Sequence, residues 1–254
     1  MDAPKLLTCA LDIGEQMLIS GAEIGRVEDS IRHICAAYGC RRTDVFTITS
    51  SILVSIQDRD GNYHTQSRRI TGGKTDLDRL DRLNSLSRQI CAQRPSWETV
   101  RQELDRILSR PAYPVWLETL ASAVIAGSFA VFFGGSPADG AVAAVLGALL
   151  HLTVSLLRFA RMNQILTNVA AAFLVSAAAI TAVELGLGHD PNEIIIGNIM
   201  LLIPGIALTN SLRDMISGDI ISGLLRFLDA ILVAVAIAAG YILAARMLGG
   251  SLWI

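Results

Sequence analysis

Charge is scarce in this 254-residue chain: only 17% of its residues are Asp, Glu, Lys or Arg, against 52% hydrophobic ones, and the mean hydropathy is +0.49. That deficit excludes an ordinary soluble globular protein. An excess of basic residues is missing as well, the net charge being −2, so nucleic-acid binding has no electrostatic footprint. The four cysteines, Cys9, Cys35, Cys40 and Cys91, contain no Cys-x-x-Cys pair, which argues against a metal centre and leaves them as buried or idle thiols in a reducing compartment. Thr71-Gly72-Gly73-Lys74-Thr75 has the letters of a phosphate-binding loop without the Walker spacing; it reads as a loop leading into a helix and not as a nucleotide site. No cofactor is expected. The start, Met1-Asp2-Ala3-Pro4, has neither the basic residues nor the apolar core of a signal peptide.

What is abundant is unevenly placed. Residues 1–112 are charge-rich and read as a cytoplasmic α+β domain, closing on Arg110-Pro111-Ala112-Tyr113-Pro114. Residues 113–254 read as a membrane domain of five transmembrane helices, at about 115–133, 138–157, 162–183, 194–212 and 227–245. Each run is close to the roughly 20 residues that cross a hydrocarbon core. The expected fold class is therefore an α-helical integral membrane protein preceded by a small α+β domain. Arg101, Arg106, Arg110, Arg158, Arg161, Arg213 and Arg226 all fall on one side of such an arrangement, with Arg246 the exception. By the positive-inside rule the N-terminus is cytoplasmic and the C-terminus outside.

Within residues 1–112, Leu7, Ala10, Leu11, Gly14, Met17 and Leu18 recur at helical spacing, as do Ile24, Val27, Ile31, Ile34, Cys35 and Tyr38. The Thr-, Val- and Ile-rich stretch 43–57, the turn Asp58-Arg59-Asp60-Gly61 and residues 62–65 predict a small antiparallel sheet. Thr75 with Asp78 predicts a helix start, with Leu77, Leu80, Leu83, Ser87 and Ile90 as the apolar face, and Ser96 caps a last helix carrying Val100, Leu104 and Leu108. Ser50, Ser51, His33 and His64 are ingredients of a hydrolase, but nothing in their spacing fixes a geometry.

The most informative stretch is 198–229, an apolar run broken by Pro204-Gly205 that turns into paired charges and amides. In lipid such a break persists only where protein or a water-filled cavity satisfies the freed backbone groups, which is how a solute pathway is built into a membrane helix. The candidate pathway residues are Asn198, Pro204, Gly205, Asn210, Arg213, Asp214, Asp219, Arg226 and Asp229. On helical geometry Asn210, Asp214 and Ser217 share a face, as do Asp219, Ser222, Arg226 and Asp229, so Asp229 is placed to pair with Arg226. His151, Ser155, Asn163, Gln164, Thr167 and Asn168 form a second rank. Gly140, Ala144 and Ala148 make a small-residue ridge that serves either packing within the chain or a partner.

The segment Ser20-Gly21-Ala22-Glu23-Ile24-Gly25-Arg26-Val27-Glu28, the stretch Ile48-Thr49-Ser50-Ser51, the region of Asn84, and Leu202-Ile203-Pro204-Gly205 through Arg213-Asp214 and Gly218-Asp219 together resemble the bacterial threonine/serine exporter family. The resemblance covers essentially the whole chain. It implies a multi-pass protein of the bacterial inner membrane that exports a small polar solute, threonine or serine first. The short length resembles the larger subunit of two-component exporters, whose dicarboxylate (succinate) member supplies the alternative solute. That arrangement implies a second small membrane subunit; an odd number of spans and alanine-rich helices ask independently for a partner chain or self-association. Glu23 and Arg26 are read as a functional ion pair, within their helix or between domains. A membrane-tethered hydrolase or a sensor remains as a further alternative class.

Overall fold

The computed structural model describes residues 2–248. By contact density the chain falls into two compact units. The first comprises Met1–Pro111 with Ile206–Phe227, the second Ala112–Gly205 with Leu228–Ile254.

The first unit begins with two helices, α1 (Ala3–Ile19) and α2 (Ile24–Ala37), followed by three antiparallel strands, β1 (Arg42–Ile48), β2 (Ser51–Gln57) and β3 (Tyr63–Arg69), in the order β1-β2-β3. The Thr- and Val-rich stretch expected as strand is two strands, because Thr49 and Ser50 turn the chain so that Ile48 pairs with Ser51 and Val45 with Val54. Alternation along β2 sends Ile52, Val54 and Ile56 into the core, where they join Leu7, Leu11, Ile13 and Met17 of α1 and Ile24, Ile31 and Ile34 of α2. Arg68 of β3 reaches Asp12 of α1 at 3.0 Å. Helix α3 (Leu77–Gln93) adds Leu83 and Ile90 to the same core, and α4 (Trp97–Leu108) adds Val100 and Leu104. The cap of α3 is Asp76, whose carboxylate accepts the Arg79 N–H at 2.9 Å, and not Thr75; Ser96 caps α4 as expected.

The second unit holds the long apolar helices. Among the described residues four are long and apolar enough to cross a membrane: α5 (Val115–Phe132), α6 (Pro137–Phe159), α7 (Gln164–Glu184) and α10 (Ile220–Leu248). Their outer faces carry exposed Trp116, Phe132, Phe159, Leu174, Leu232 and Val235, the surface a bilayer solvates. The fifth expected crossing, 194–212, is not one helix. It is divided into α8 (Pro191–Ile199) and α9 (Gly205–Ile216), 9 and 12 residues long, and at about 1.5 Å per residue neither spans a core of about 30 Å.

Glycines set the packing of this unit. Between apolar helices in lipid no hydrophobic force favours contact, so close backbone approach and van der Waals fit must supply it. A Cβ on Gly127 of α5 would lie 2.8 Å from the Gly140 carbonyl oxygen and 3.2 Å from the Ala144 Cβ, so the Gly140-Ala144 ridge of α6 serves packing against α5 within this chain. Gly147 of α6 and Gly197 of α8 meet the same helix, and a methyl group on either would lie 2.5 Å from an atom of Ala126. Helix α6 opens with a reciprocal cap in which Ser136 and Asp139 bond each other's backbone N–H. Asp139 also accepts the N–H groups of His189 at 2.6 Å and Asp190 at 3.2 Å, so this buried acid is spent on loop backbone. Replacing Gly197 by Ala is expected to lower the unfolding free energy by about 1–3 kcal/mol through overpacking against backbone. Gly25→Ala, where a methyl meets nothing within 4 Å, is expected to be neutral or mildly stabilising. Denaturant titration of the two variants in detergent checks the contrast.

Candidate functional site

Helix α1 ends in a Schellman motif. The Ala22 N–H bonds the Met17 carbonyl at 3.0 Å, the Gly21 N–H bonds that of Leu18 at 3.1 Å, and Gly21 takes φ +94°, a conformation that favours glycine. The reversal into α2 is tight and leaves the Gly21 and Ala22 carbonyls and the first N–H groups of α2 to find partners. Three partners come from more than 180 residues away. Asn210 donates to the Gly21 carbonyl at 3.1 Å, Arg226 donates to the Ala22 carbonyl at 2.9 Å, and Asp214 accepts the Ile24 N–H at 3.2 Å. A carboxylate there also lies against the positive end of the α2 dipole. Arg226 and Asp214 complete the cluster with a 3.1 Å ion pair, their side chains 16% and 2% exposed. Burial pushes the Asp214 carboxyl above the usual range, while Arg226 and the Ile24 N–H pull it back.

The sequence motifs thus meet, and two pairings differ from expectation. Glu23 bonds Arg213 rather than Arg26, so its carboxylate is not free to cap α2; Arg26 is exposed and makes no ion pair among the described residues. Arg226 pairs with Asp214, whereas Asp229 is exposed and likewise makes no ion pair among the described residues. Helix α9 turns into α10 through Gly218 at φ +100°, with the Asp219 N–H on the Asp214 carbonyl at 2.9 Å. That turn leaves Asp219 half-buried beside the cluster and Ser217 exposed.

Beside this loop a cleft of about 910 Å³ opens between α2 and α3, lined by Glu23, Arg26, Asp29 and His33 on one side, Asn84, Ser87 and Arg88 on the other, and Ser217. Its walls offer two guanidinium groups, two carboxylates and several neutral hydrogen-bonding groups, a mixture suited to a small solute carrying both signs of charge. Sequence reasoning singled out Glu23, Arg26 and Ser217 but missed Arg88 and Asp29, which carry no local signal beyond a polar helix face, and it assigned Ser87 to the apolar face of its helix. Of the hydrolase ingredients, His64 pairs with Asp58 at 2.9 Å, and the cavity they line includes neither Ser50 nor Ser51.

The break itself lies in the second unit. After α8, the N–H groups of Leu201, Leu202 and Ile203 fold back onto the Asn198 and Ile199 carbonyls at 2.8–3.1 Å, and the Gly205 N–H bonds the Ile203 carbonyl at 2.9 Å. In a continuous helix the Met200 carbonyl would be paired by residue 204, but Pro204 has no N–H; the Leu201 carbonyl would be paired by Gly205, whose N–H points elsewhere. Two carbonyls are therefore released from helical pairing. One turn earlier, Asn198 is fully buried; its amide donates to the Ile194 carbonyl at 2.9 Å while its side-chain oxygen is unpartnered. Of the second-rank residues, His151 faces Glu118 across α5 and α6 at 3.6 Å, Thr167 and Asn168 are buried, Asn163 caps α7, and Ser155 and Gln164 are exposed.

The cluster around the α1–α2 reversal makes a stability prediction. Asp214→Leu strands Arg226 without its counter-charge and is expected to destabilise the protein by about 3–5 kcal/mol. Arg226→Gln keeps a donor for the loop but leaves Asp214, the more buried partner, without its counter-charge, and is expected to cost about as much. Urea titrations of both variants check this; losses under about 1 kcal/mol in both would show that the charge pairing is immaterial.

Comparison with known proteins places these features. A family described as "Putative threonine/serine exporter" (ThrE) matches residues 8–248. A "Probable threonine/serine exporter" of Mycobacterium tuberculosis is 26% identical over 244 residues, which cover 95% of this chain and 46% of that protein. The "Threonine/serine exporter" of Corynebacterium glutamicum is 27% identical over 248 residues, 92% of this chain and 50% of that one. The chain thus spans about half the length of these two relatives. A "Probable succinate transporter subunit YjjP" of Klebsiella aerogenes is 24% identical over 250 residues, covering 97% of this chain and 94% of its own length. No solved structure matches. With the family match running through residues 8–248, the chain belongs to the threonine/serine exporter family.

Proposed function

We propose that this chain is a subunit of an inner-membrane exporter of small polar metabolites, with threonine and serine as its solutes. The observation that carries the reading is the divided segment at Pro204: an apolar stretch in which two carbonyls leave the helical pattern next to the buried, half-satisfied Asn198. Released carbonyls and a buried amide oxygen are acceptors for an ammonium or hydroxyl group. In this reading residues 194–212 are a broken crossing, the N-terminus is cytoplasmic and the C-terminus outside. The first unit receives the solute on the cytoplasmic side through the cleft of Arg26, Asp29, Asn84 and Arg88. The N-terminal unit is then a gate or brace and not an enzyme.

A partner belongs to the same proposal. Asp229 is an exposed carboxylate inside the long apolar helix α10, and an ionisable group facing lipid costs about 2.5–3.5 kcal/mol by insertion scales. A second small membrane subunit, a second copy of this chain, or both would cover it. The alternative solute, a short dicarboxylate, is favoured by one observation: the chain matches the Klebsiella relative over almost that protein's full length. The mixed signs of the cleft favour the zwitterion.

The test is efflux from cells co-expressing this chain with a small membrane partner and preloaded in turn with threonine, serine and succinate. Threonine and serine are expected to leave faster than in cells without the chain, and succinate not. Pro204→Ala is expected to lower efflux about tenfold, equivalent to about 1.4 kcal/mol, with unchanged amounts in the membrane. Efflux of succinate alone would move the assignment to the dicarboxylate, and full efflux by Pro204→Ala would remove the break from the pathway.

A further inference from the structure

Helix α2 ends as α1 does. The Cys40 N–H bonds the Cys35 carbonyl at 3.2 Å, the Gly39 N–H bonds that of Ala36 at 2.9 Å, and Gly39 takes φ +87°. This second Schellman motif brings the residue three places before the cap beside the second residue after it, a contact that is ordinarily apolar. At the end of α1 the pair is Met17 and Ala22, both buried. At the end of α2 the same two places are held by Cys35 and Cys40, whose thiols hydrogen-bond each other.

The two sulfurs have different surroundings. Cys35 is fully buried, and the hydrogen bond to Cys40 together with burial pushes its thiol far up. Cys40 is half-buried on the wall of a cavity of about 470 Å³ that also holds Arg59, Asp58 and His64. The Arg59 guanidinium lies over Gly39 and donates to the Tyr38 carbonyl at 3.1 Å. The hydrogen bond from Cys35, with Arg59 and His64 nearby, lowers the Cys40 thiol to about 7 against burial and the Asp58 charge. One thiol is therefore accessible and substantially ionised near neutral pH, and the other is a protonated neighbour within bonding reach.

We propose that Cys35 and Cys40 are a reversible dithiol–disulfide pair that closes by exchange with a low-molecular-weight disulfide. The Cys40 thiolate attacks one sulfur of that disulfide, whose S–S bond breaks and whose other sulfur leaves with the electron pair as a thiolate. Cys35 then attacks the Cys40 sulfur, the mixed S–S bond breaks, the second small thiol leaves, and the Cys35 proton is taken up by the departing thiolate. Two protein thiols are oxidised and one small disulfide is reduced to two thiols. The bridge ties the last turn of α2 to the start of β1 and covers one wall of the cavity. The thiol pair stands independently of the exporter reading.

The test equilibrates the full-length protein in detergent against mixtures of reduced and oxidised glutathione, quenches with acid, alkylates, and maps peptides by mass. Cys35 and Cys40 are expected to lose alkylation together and to appear as one cross-linked species, while Cys9 and Cys91 stay alkylatable. In the reduced protein at neutral pH, Cys40 is expected to alkylate about ten times faster than Cys91. Cys35→Ser and the better-packing Cys35→Ala are expected to stop at a glutathione adduct on Cys40; Cys40→Ser is expected to carry no adduct on Cys35. Persistence of both free thiols across the series, a stable adduct on Cys40 of the unaltered protein, or a cross-link from Cys35 to Cys9 would each overturn the pairing.

Discussion

The first unit depends on the ion pair of Asp214 and Arg226, because through it a segment from the far end of the sequence becomes part of the N-terminal core. Burying two charges is expensive, and mutual attraction alone seldom recovers the loss. Here each ion has a second task. Asp214 takes the first N–H of α2, and Arg226 fills the Ala22 carbonyl that the Schellman turn leaves outside α1. Asn210 does the same for the Gly21 carbonyl, and the 71–76 loop supplies N–H groups from Lys74 and Asp76 to the carbonyls of Ile19 and Ser20. The backbone around the reversal is thus satisfied almost group by group, which is what permits so polar a cluster to be buried.

The same segment gives the break at Pro204 its structural setting. The chain passes from the second unit into the first at Gly205 and returns at Leu228. The proline therefore stands where the chain changes from one compact body to the other. Twenty-nine residues in α10 make a helix of about 43 Å, longer than a hydrocarbon core, and its first two turns to Phe227 belong to the first unit. Arg226 is spent on Asp214 and the Ala22 carbonyl, although it stands in a helix that hydropathy alone assigns to the membrane.

How much of this could be read from the sequence follows from the range of the forces involved. Spans α5, α6 and α7 were legible within two residues because long apolar runs mark them. The helices and sheet of the first unit followed from periodicity, with a slip at the α3 cap, where Thr75 and Asp76 are both good caps and only backbone geometry selects one. Helical spacing put Asn210 and Asp214 on one face but could not say what that face meets, since Gly21 is 189 residues from Asn210. It likewise set Asp229 beside Arg226, whereas the nearer counter-charge comes from the preceding helix. Cys35 and Cys40 read as idle because their relation runs through Gly39, a backbone feature visible only once the end of α2 is placed.

The polar groups of the second unit sort by what holds them. Asp139 is consumed by a cap and by the His189 and Asp190 backbone, and Glu118 faces His151 in the same helix pair. Their polarity therefore says nothing about a solute. Asn198 is buried with an oxygen unpartnered, as are the Thr167 and Ser176 hydroxyls of α7, and Asp229 is exposed on an apolar helix. In a bilayer, which offers no compensating hydrogen bonds, groups left over after the chain's own structure is satisfied must be met by water, a solute or another chain. In the exporter reading proposed above, water or a solute meets Asn198 beside the Pro204 break, and another chain covers Asp229.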